Sequence, residues 1–90
     1  MAFVVYENTI VYKDGGKVLA EVAYPPIGIG TVDICRTHVD DALRGQGMAG
    51  QLMERTAIEL RKTCRKAELT CSYAIKWFGQ HPEYADVLTK

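Results

Sequence analysis

Ala42-Leu43-Arg44-Gly45-Gln46-Gly47-Met48-Ala49-Gly50 is the stretch on which the reading of this chain turns. Before it, residues 31–39 alternate in the manner of a strand, Val32, Ile34 and Arg36 on one face and Asp33, Cys35 and Thr37 on the other. After it, Ala49, Leu52, Met53, Thr56, Ala57, Leu60 and Cys64 recur at helical spacing and form one apolar stripe. The stretch is therefore a strand-to-helix turn. Its glycines let the backbone curl so that several N–H groups point the same way. The helix start adds the positive end of a dipole, and Arg44 adds a formal charge. Such a turn suits a phosphate or pyrophosphate. A plain glycine-containing turn is the competing reading, since short glycine loops match by chance. The turn is read as neither a Walker loop, because no Gly-Lys-Ser/Thr follows, nor a dinucleotide-binding turn.

Upstream, residues 3–6 and 9–13 read as short strands rich in β-branched and aromatic residues. Asp14-Gly15-Gly16-Lys17 reads as a hairpin turn, because Gly-Gly supplies the positive φ a tight hairpin needs. Val18, Ala20, Val22 and Tyr24 share one face of the next strand, which Pro25-Pro26 ends; Gly28 and Gly30 make the following connection flexible. Downstream, residues 67–71 read as a strand parallel to residues 31–39, which completes a βαβ unit. Residues 72–79 read as a second helix. His81-Pro82 breaks it, and residues 83–88 form a last helical turn. The expected fold class is α+β with an α/β-like half: an antiparallel β meander, then a βαβ unit and a C-terminal helix.

With 90 residues, 48% hydrophobic and 24% charged, the chain is neither disordered nor collagen-like. Area scaling gives roughly 5,200 Å² folded against ~14,500 Å² extended, enough burial for one core without staples. Residues 1–90 are read as a single domain. Lys+Arg 11 and Asp+Glu 11 cancel. A binder of bulk nucleic acid carries a basic excess, so nucleic acid is not an expected partner. The local run Arg61, Lys62, Arg65 and Lys66 is read as the solvated end of a helix, where cations suit the dipole. Cys35, Cys64 and Cys71 include no C-x-x-C pair, which argues against a disulfide framework or zinc. The apolar run at residues 1–6 has no basic flank or cleavage site, and no stretch has the apolar length of a membrane span. A cytoplasmic protein with no membrane partner is expected, a monomer or a weak homodimer.

Cys71 is the second chemical feature. It ends a strand and precedes a helix, with Ser72 beside it. A thiol at a helix N-terminus is favoured as thiolate and becomes a better nucleophile. By itself it reads more simply as a buried cysteine. Topology joins it to the glycine turn: parallel strands of a βαβ unit end at one edge of the sheet, and ligands bind in that crevice. A ligand with a pyrophosphate, a long arm and a reactive end would suit it, and coenzyme A has that shape.

Val39, then Arg44-Gly45-Gln46-Gly47-Met48-Ala49 and Leu52, resemble motif A (R/Q-x-x-G-x-G/A) of the GNAT-fold N-acetyltransferases. More specifically, the chain resembles that superfamily's small single-domain acetyltransferase-like family. The marks are the Asp14–Lys17 hairpin, Ala20-Glu21 with Tyr24-Pro25, Thr37-His38-Val39, Cys71-Ser72-Tyr73 and His81-Pro82-Glu83-Tyr84. The resemblance implies a minimal GNAT fold with acetyl-CoA as ligand. The backbone of Arg44, Gly45, Gln46, Gly47, Met48, Ala49 and Gly50 would hold the pyrophosphate. Thr37 and Val39 would pair with the pantetheine amides, and Cys71 would sit near the thioester. Two departures stand out. Arg36 occupies a position where relatives often carry histidine, with His38 on the opposite face of the strand. Thr70 replaces a proline common before the cysteine.

The function expected is N-acetyl transfer from acetyl-CoA to an acceptor amine, exposed on a macromolecule if the acceptor side is open. Transfer is either direct, with Glu21, His38 or Tyr73 as candidate bases, or through an acetyl-Cys71 intermediate. The alternative is a CoA-binding module or sensor without efficient catalysis. A redox or metal protein built on the cysteines has no motif behind it.

Overall fold

A computed structural model describes residues 2–89. Four strands follow the meander: β1 (Ala2–Val5), β2 (Thr9–Asp14), β3 (Lys17–Ala23) and, after an interruption, β6 (Arg36–Val39), in the order β1-β2-β3-β6 and antiparallel throughout. The β2–β3 hairpin closes on Gly15 and Gly16 at φ +57° and +89°, left-handed values that glycine adopts without a Cβ clash. A second sheet holds β4 (Pro26–Gly28), β5 (Thr31–Ile34) and β7 (Lys66–Leu69), with β5 and β7 parallel. Helix α1 (Met48–Lys62) crosses between β6 and β7, and α2 (Ser72–Gly79) follows β7. Short 3₁₀ segments occupy Asp41–Leu43 and Pro82–Val87.

One face of α1 supplies Met48, Leu52, Met53, Thr56, Ala57 and Leu60 to the core. They pack with Ile10, Ala20, Val22, Tyr24, Val32 and Ile34 from the sheets and Trp77, Phe78 and Val87 from the C-terminal part. Buried Thr56 turns its hydroxyl back to the Leu52 carbonyl at 2.7 Å, so no polar atom is stranded there.

Three expectations are corrected. Residues 31–39 do not form one strand. The chain breaks at Cys35, whose N–H reaches the Ala23 carbonyl out of register (3.2 Å). The alternation then shifts by one: Val32 and Ile34 are buried, Arg36 is exposed, and Thr37 and Val39 face inward. The cause is competition between neighbours, because β5 pairs with β7 while β6 pairs with β3. Second, the stretch after Pro25-Pro26 is not merely a connection. Pro26 opens β4 on the sheet edge, where a missing N–H leaves no gap in the ladder. Third, Cys64 is not part of the α1 stripe. The helix ends at Lys62, and Cys64 is exposed with φ +59°.

Candidate functional site

The two sheets part company at Ile34, and the site lies in the fork. The N–H groups of Thr70 and Cys71 both donate to the Ile34 carbonyl (3.2 and 3.1 Å), after which the chain turns into α2. Beyond that point β6 has a neighbour on one side only. Asp40 N–H bonds the Leu19 carbonyl (2.7 Å). Antiparallel alternation therefore turns the backbone of Arg36 and His38 toward β3, and that of Thr37 and Val39 toward the fork. The expected strand-edge residues thus present free N–H and C=O groups at the gap.

The glycine turn closes one end of this fork. Gly45 and Gly47 have φ +81° and +73°, so both depend on the absence of a Cβ. Gly47 is the N-cap of α1 and offers no side-chain acceptor, and the first turn contains no acidic residue. The first hydrogen bond into the helix is Gln51 N–H to the Gly47 carbonyl, 3.1 Å. The N–H groups of Gly45, Gly47, Met48, Ala49 and Gly50 have no acceptor among the described residues. This is a helix N-terminus left open for an anion. Gln46 differs: its N–H goes to the Leu43 carbonyl (3.3 Å) and its side chain to the Ala42 carbonyl (3.2 Å), so it fastens the turn. Arg44 lies beside Asp41 at 3.1 Å, with both side chains largely exposed.

A cleft of about 240 Å³ runs between the turn and β6, with Val39, Leu43, Met48 and Tyr73 as its side-chain walls. A larger hollow of about 350 Å³ lies along the outer edge of β7, between Leu69, Ile75 and Leu88. It has none of the free helix N–H groups, so the smaller cleft is the candidate site. Leu43 and Tyr73 were not among the expected ligand-binding residues. Tyr73 was placed with the candidate bases, and it sits in the first turn of α2, two residues after Cys71. Burial raises its phenol above the usual tyrosine value, so the group stays protonated and is a donor at neutral pH.

Gly45, Gly47 and Gly50 fall on the spacing G-x-G-x-x-G, which corrects the reading that set this turn apart from dinucleotide-binding turns. The third glycine explains the spacing by packing. A Cβ on Gly50 would stand 3.4 Å from Trp77 Nε1 and 3.7 Å from the Tyr73 hydroxyl. Gly50 therefore lets α2 approach the first turn of α1.

Cys71 is the N-cap residue of α2, half-buried and reduced. Its thiol lies 3.7 Å from Thr37 Oγ1 across the fork. The glycine turn, the free edge of β6 and the thiol thus lie around one fork. Glu21 and His38 are cross-strand partners on the other face of the sheet from Thr37, and Glu21 pairs with Arg36 at 3.6 Å. Neither shares a face with Cys71. The groups brought together are Thr37, Val39, the 44–50 turn, Cys71 and Tyr73. Thr70 donates its hydroxyl to both carboxylate oxygens of Asp33 (2.9 and 3.1 Å), clasping β5 to β7 just before the fork opens.

The forked sheet and the uncapped helix at its mouth define a mixed α+β domain, and a family model described as GCN5-related N-acetyl-transferase matches residues 5–87. The chain belongs to the GCN5-related N-acetyltransferase family. It is 36% identical over 63 residues to Protein NATD1 of Xenopus tropicalis, a match covering 70% of this chain and 58% of that protein. Among solved structures it resembles a GCN5-like protein from Staphylococcus aureus, with a TM-score of 0.78 and 27% identity over 97% of this chain and 86% of the other. A Mycobacterium tuberculosis protein solved in complex with CoA shares the fold, with a TM-score of 0.66 at 19% identity over 84% of this chain and 48% of its own.

Proposed function

We propose that this chain transfers an acetyl group from acetyl-CoA to an amine, with Cys71 as the residue nearest the reacting carbonyl. The unpaired N–H groups of Gly45, Gly47, Met48, Ala49 and Gly50 carry the reading, because they suit a pyrophosphate and have no acceptor among the described residues. In this reading Arg44 leaves Asp41 for the ligand, Gly45, Gly47, Met48, Ala49 and Gly50 hold the pyrophosphate, and Gln46 keeps the turn in shape. The backbones of Thr37 and Val39 accept and donate to the amides of the pantetheine arm, which runs along β6 toward Cys71. Family membership and the CoA complex of a relative with the same fold support the ligand.

Two routes use these residues. In the covalent route the Cys71 thiol gives up its proton to solvent, and its sulfur attacks the thioester carbonyl. The bond to the CoA sulfur breaks, and the amine then takes the acetyl group from Cys71. In the direct route the amine attacks the thioester itself. Either way, in this reading Tyr73, which lines the cleft, gives its proton to the departing CoA thiolate. The position of Cys71 at the start of α2, with its thiol 3.7 Å from Thr37 Oγ1 on the strand that would hold the pantetheine arm, supports the covalent route. The unpaired thiols of Cys35, Cys64 and Cys71 suit the reducing, cytoplasmic setting that this reading expects.

Calorimetric titration with acetyl-CoA at low and moderate salt is the first test. Saturable one-to-one binding that weakens with salt is expected; no binding at millimolar ligand would overturn the assignment. Cys71→Ala then separates the routes. Loss of turnover with acetyl-CoA affinity unchanged supports the acetyl-cysteine, whereas full turnover on a confirmed acceptor eliminates it. The second reading is a CoA-binding module without efficient catalysis. It is favoured by the placement of Glu21 and His38, two of the three candidate bases, on the face of the sheet away from Cys71. Binding without acetyl-CoA consumption across a broad amine and peptide panel would establish it.

A further inference from the structure

The β4–β5 hairpin ends in Pro25-Pro26-Ile27-Gly28-Ile29-Gly30, and its two isoleucines have no place in the core. Ile29 is completely exposed (106%) and Ile27 half-exposed (51%). An exposed isoleucine at the tip of a projecting turn contributes nothing to folding. Exposed apolar residues are common singly, but two on one tip form a small wedge. The setting of this wedge is cationic. Gly30 accepts from the N–H of Lys66 at 2.8 Å, and Thr31 pairs with Lys66. The tip therefore lies against the segment that joins α1 to β7, which carries Lys62, Arg65 and Lys66.

The charges there are not all spent internally. Arg61 is neutralised by Asp86 (2.5 Å). Lys66 donates to the Asp86 carbonyl, and Arg65 donates to the carbonyl of Glu7 (3.1 Å) and to Thr63 (2.9 Å), neutral acceptors that leave the charge standing. Lys62 is exposed with no ion-pair partner among the described residues. Glu7 and Glu59 are the opposing carboxylates. Three cations against two carboxylates leave this end of an overall neutral chain positive.

We infer that this pole is a docking surface for an anionic lipid membrane, with Ile27 and Ile29 entering the interfacial region and Lys62, Arg65 and Lys66 facing the headgroups. Lipid is favoured over a protein partner by shape. A wedge that projects alone needs a medium that closes around it, and a fluid interface does so without a matching pocket. The basic collar adds electrostatic attraction to anionic lipid, a second signal beside the small apolar wedge. The absence of a membrane span does not bear on such a surface contact. The arrangement also sets an orientation. Helix α1 runs from the glycine turn to this pole through 15 residues, about 22 Å, so a docked molecule holds its cleft out in the aqueous phase.

The test is co-sedimentation of the full chain with phosphatidylcholine vesicles and with vesicles of phosphatidylcholine and phosphatidylserine in equal parts. Binding to the anionic vesicles that falls with added salt is expected. Ile29→Asp should weaken it about tenfold or more and Lys62→Glu about fivefold, while Ile75→Asp, at a half-exposed isoleucine off the pole, leaves it unchanged. All three positions are exposed, and far-ultraviolet circular dichroism confirms that the variants fold. No binding to anionic vesicles overturns the proposal. So does equal binding to both compositions, or an Ile29→Asp variant that binds like wild type. A dimer in light scattering that Ile29→Asp dissolves, with no vesicle binding, would assign the pole to a second copy of the chain instead.

Discussion

Arg44 and Asp41 sit at 3.1 Å with 69% and 90% of their side-chain surfaces exposed. Water screens such a pair, and it is worth little to the fold. Its effect falls on the ligand: Asp41 holds the one side-chain cation of the turn and adds a negative charge where an anion must land. Asp41→Asn should therefore tighten acetyl-CoA two- to fivefold at low salt. Calorimetry reads this directly, and weaker binding would mean that Arg44 takes no part. Tyr24 poses the opposite case. Its ring is fully buried, and its hydroxyl has no hydrogen-bond partner among the described residues. Burial raises its phenol pKa, against the lowering effect of Arg65. The folded value lies above the unfolded value of 10.0, so the unfolded chain releases this proton first. Stability is then intact below about pH 10 and falls as pH rises beyond it. Tyr24→Phe should remove that alkaline loss and leave the protein as stable at neutral pH or more so, by about 1 kcal/mol. Urea titrations at neutral and alkaline pH decide it; a destabilised Tyr24→Phe at neutral pH would reveal a partner for the hydroxyl.

Among the elements, what depends on neighbouring residues was legible and what depends on distant ones was not. The β2–β3 hairpin follows from Gly15-Gly16, and α1 from a stripe at helical spacing, so both could be read locally. The break at Cys35 could not, because it arises where β3 and β7 compete for one strand. Pro25-Pro26 reads as a stop, and only the free edge beside β5 makes room for β4. The site divides the same way. The glycine turn and Cys71 were visible, and the βαβ rule put them at one edge of the sheet. That Thr37 and Val39 turn their backbones into the fork while Glu21 and His38 face away needed the register. Tyr73 and Trp77 against Gly50 join two helices, and the clue in sequence was the third glycine of the turn itself. Gly50→Val tests that contact. A Cβ at 3.4 Å is tolerable, but branching methyls drive α2 away from the turn. The expected result is a loss of about 1–3 kcal/mol with a changed emission from Trp77, the chain's single tryptophan. Unchanged emission and stability would separate the helices from the turn.

At the scale of the whole molecule, the surface measures 5302 Å², close to the roughly 5,200 Å² that scaling gives for this mass. The Cα radius of gyration is 12.4 Å, against about 12 Å for a compact chain of this length. So small a core leaves the C-terminal part dependent on ties to the rest. Trp77 stacks on His81 at 3.9 Å and, more loosely, on Tyr84 at 5.7 Å. Beyond them the Pro82–Val87 segment is held to the end of α1 by Arg61, which reaches Asp86 through Nε and Nη2 (2.9 and 2.5 Å) and the Glu83 carbonyl (3.0 Å). This clasp closes the molecule between its two chemically distinct ends, and it has a titration signature. The Arg61 guanidinium holds the Asp86 carboxyl below its ordinary value of 3.8. A carboxylate with a lowered pKa stabilises the fold above its unfolded value and loses that contribution as pH falls through the folded one. Thermal unfolding of the wild type should therefore shift down as pH drops below about 4, while Asp86→Asn unfolds lower at neutral pH and lacks that part of the acid dependence. Both groups are exposed, so the shift in Tm should be a few degrees and shrink in high salt. An Asp86→Asn variant with wild-type Tm and an unaltered acid limb would mean that the aromatic stack alone holds the segment.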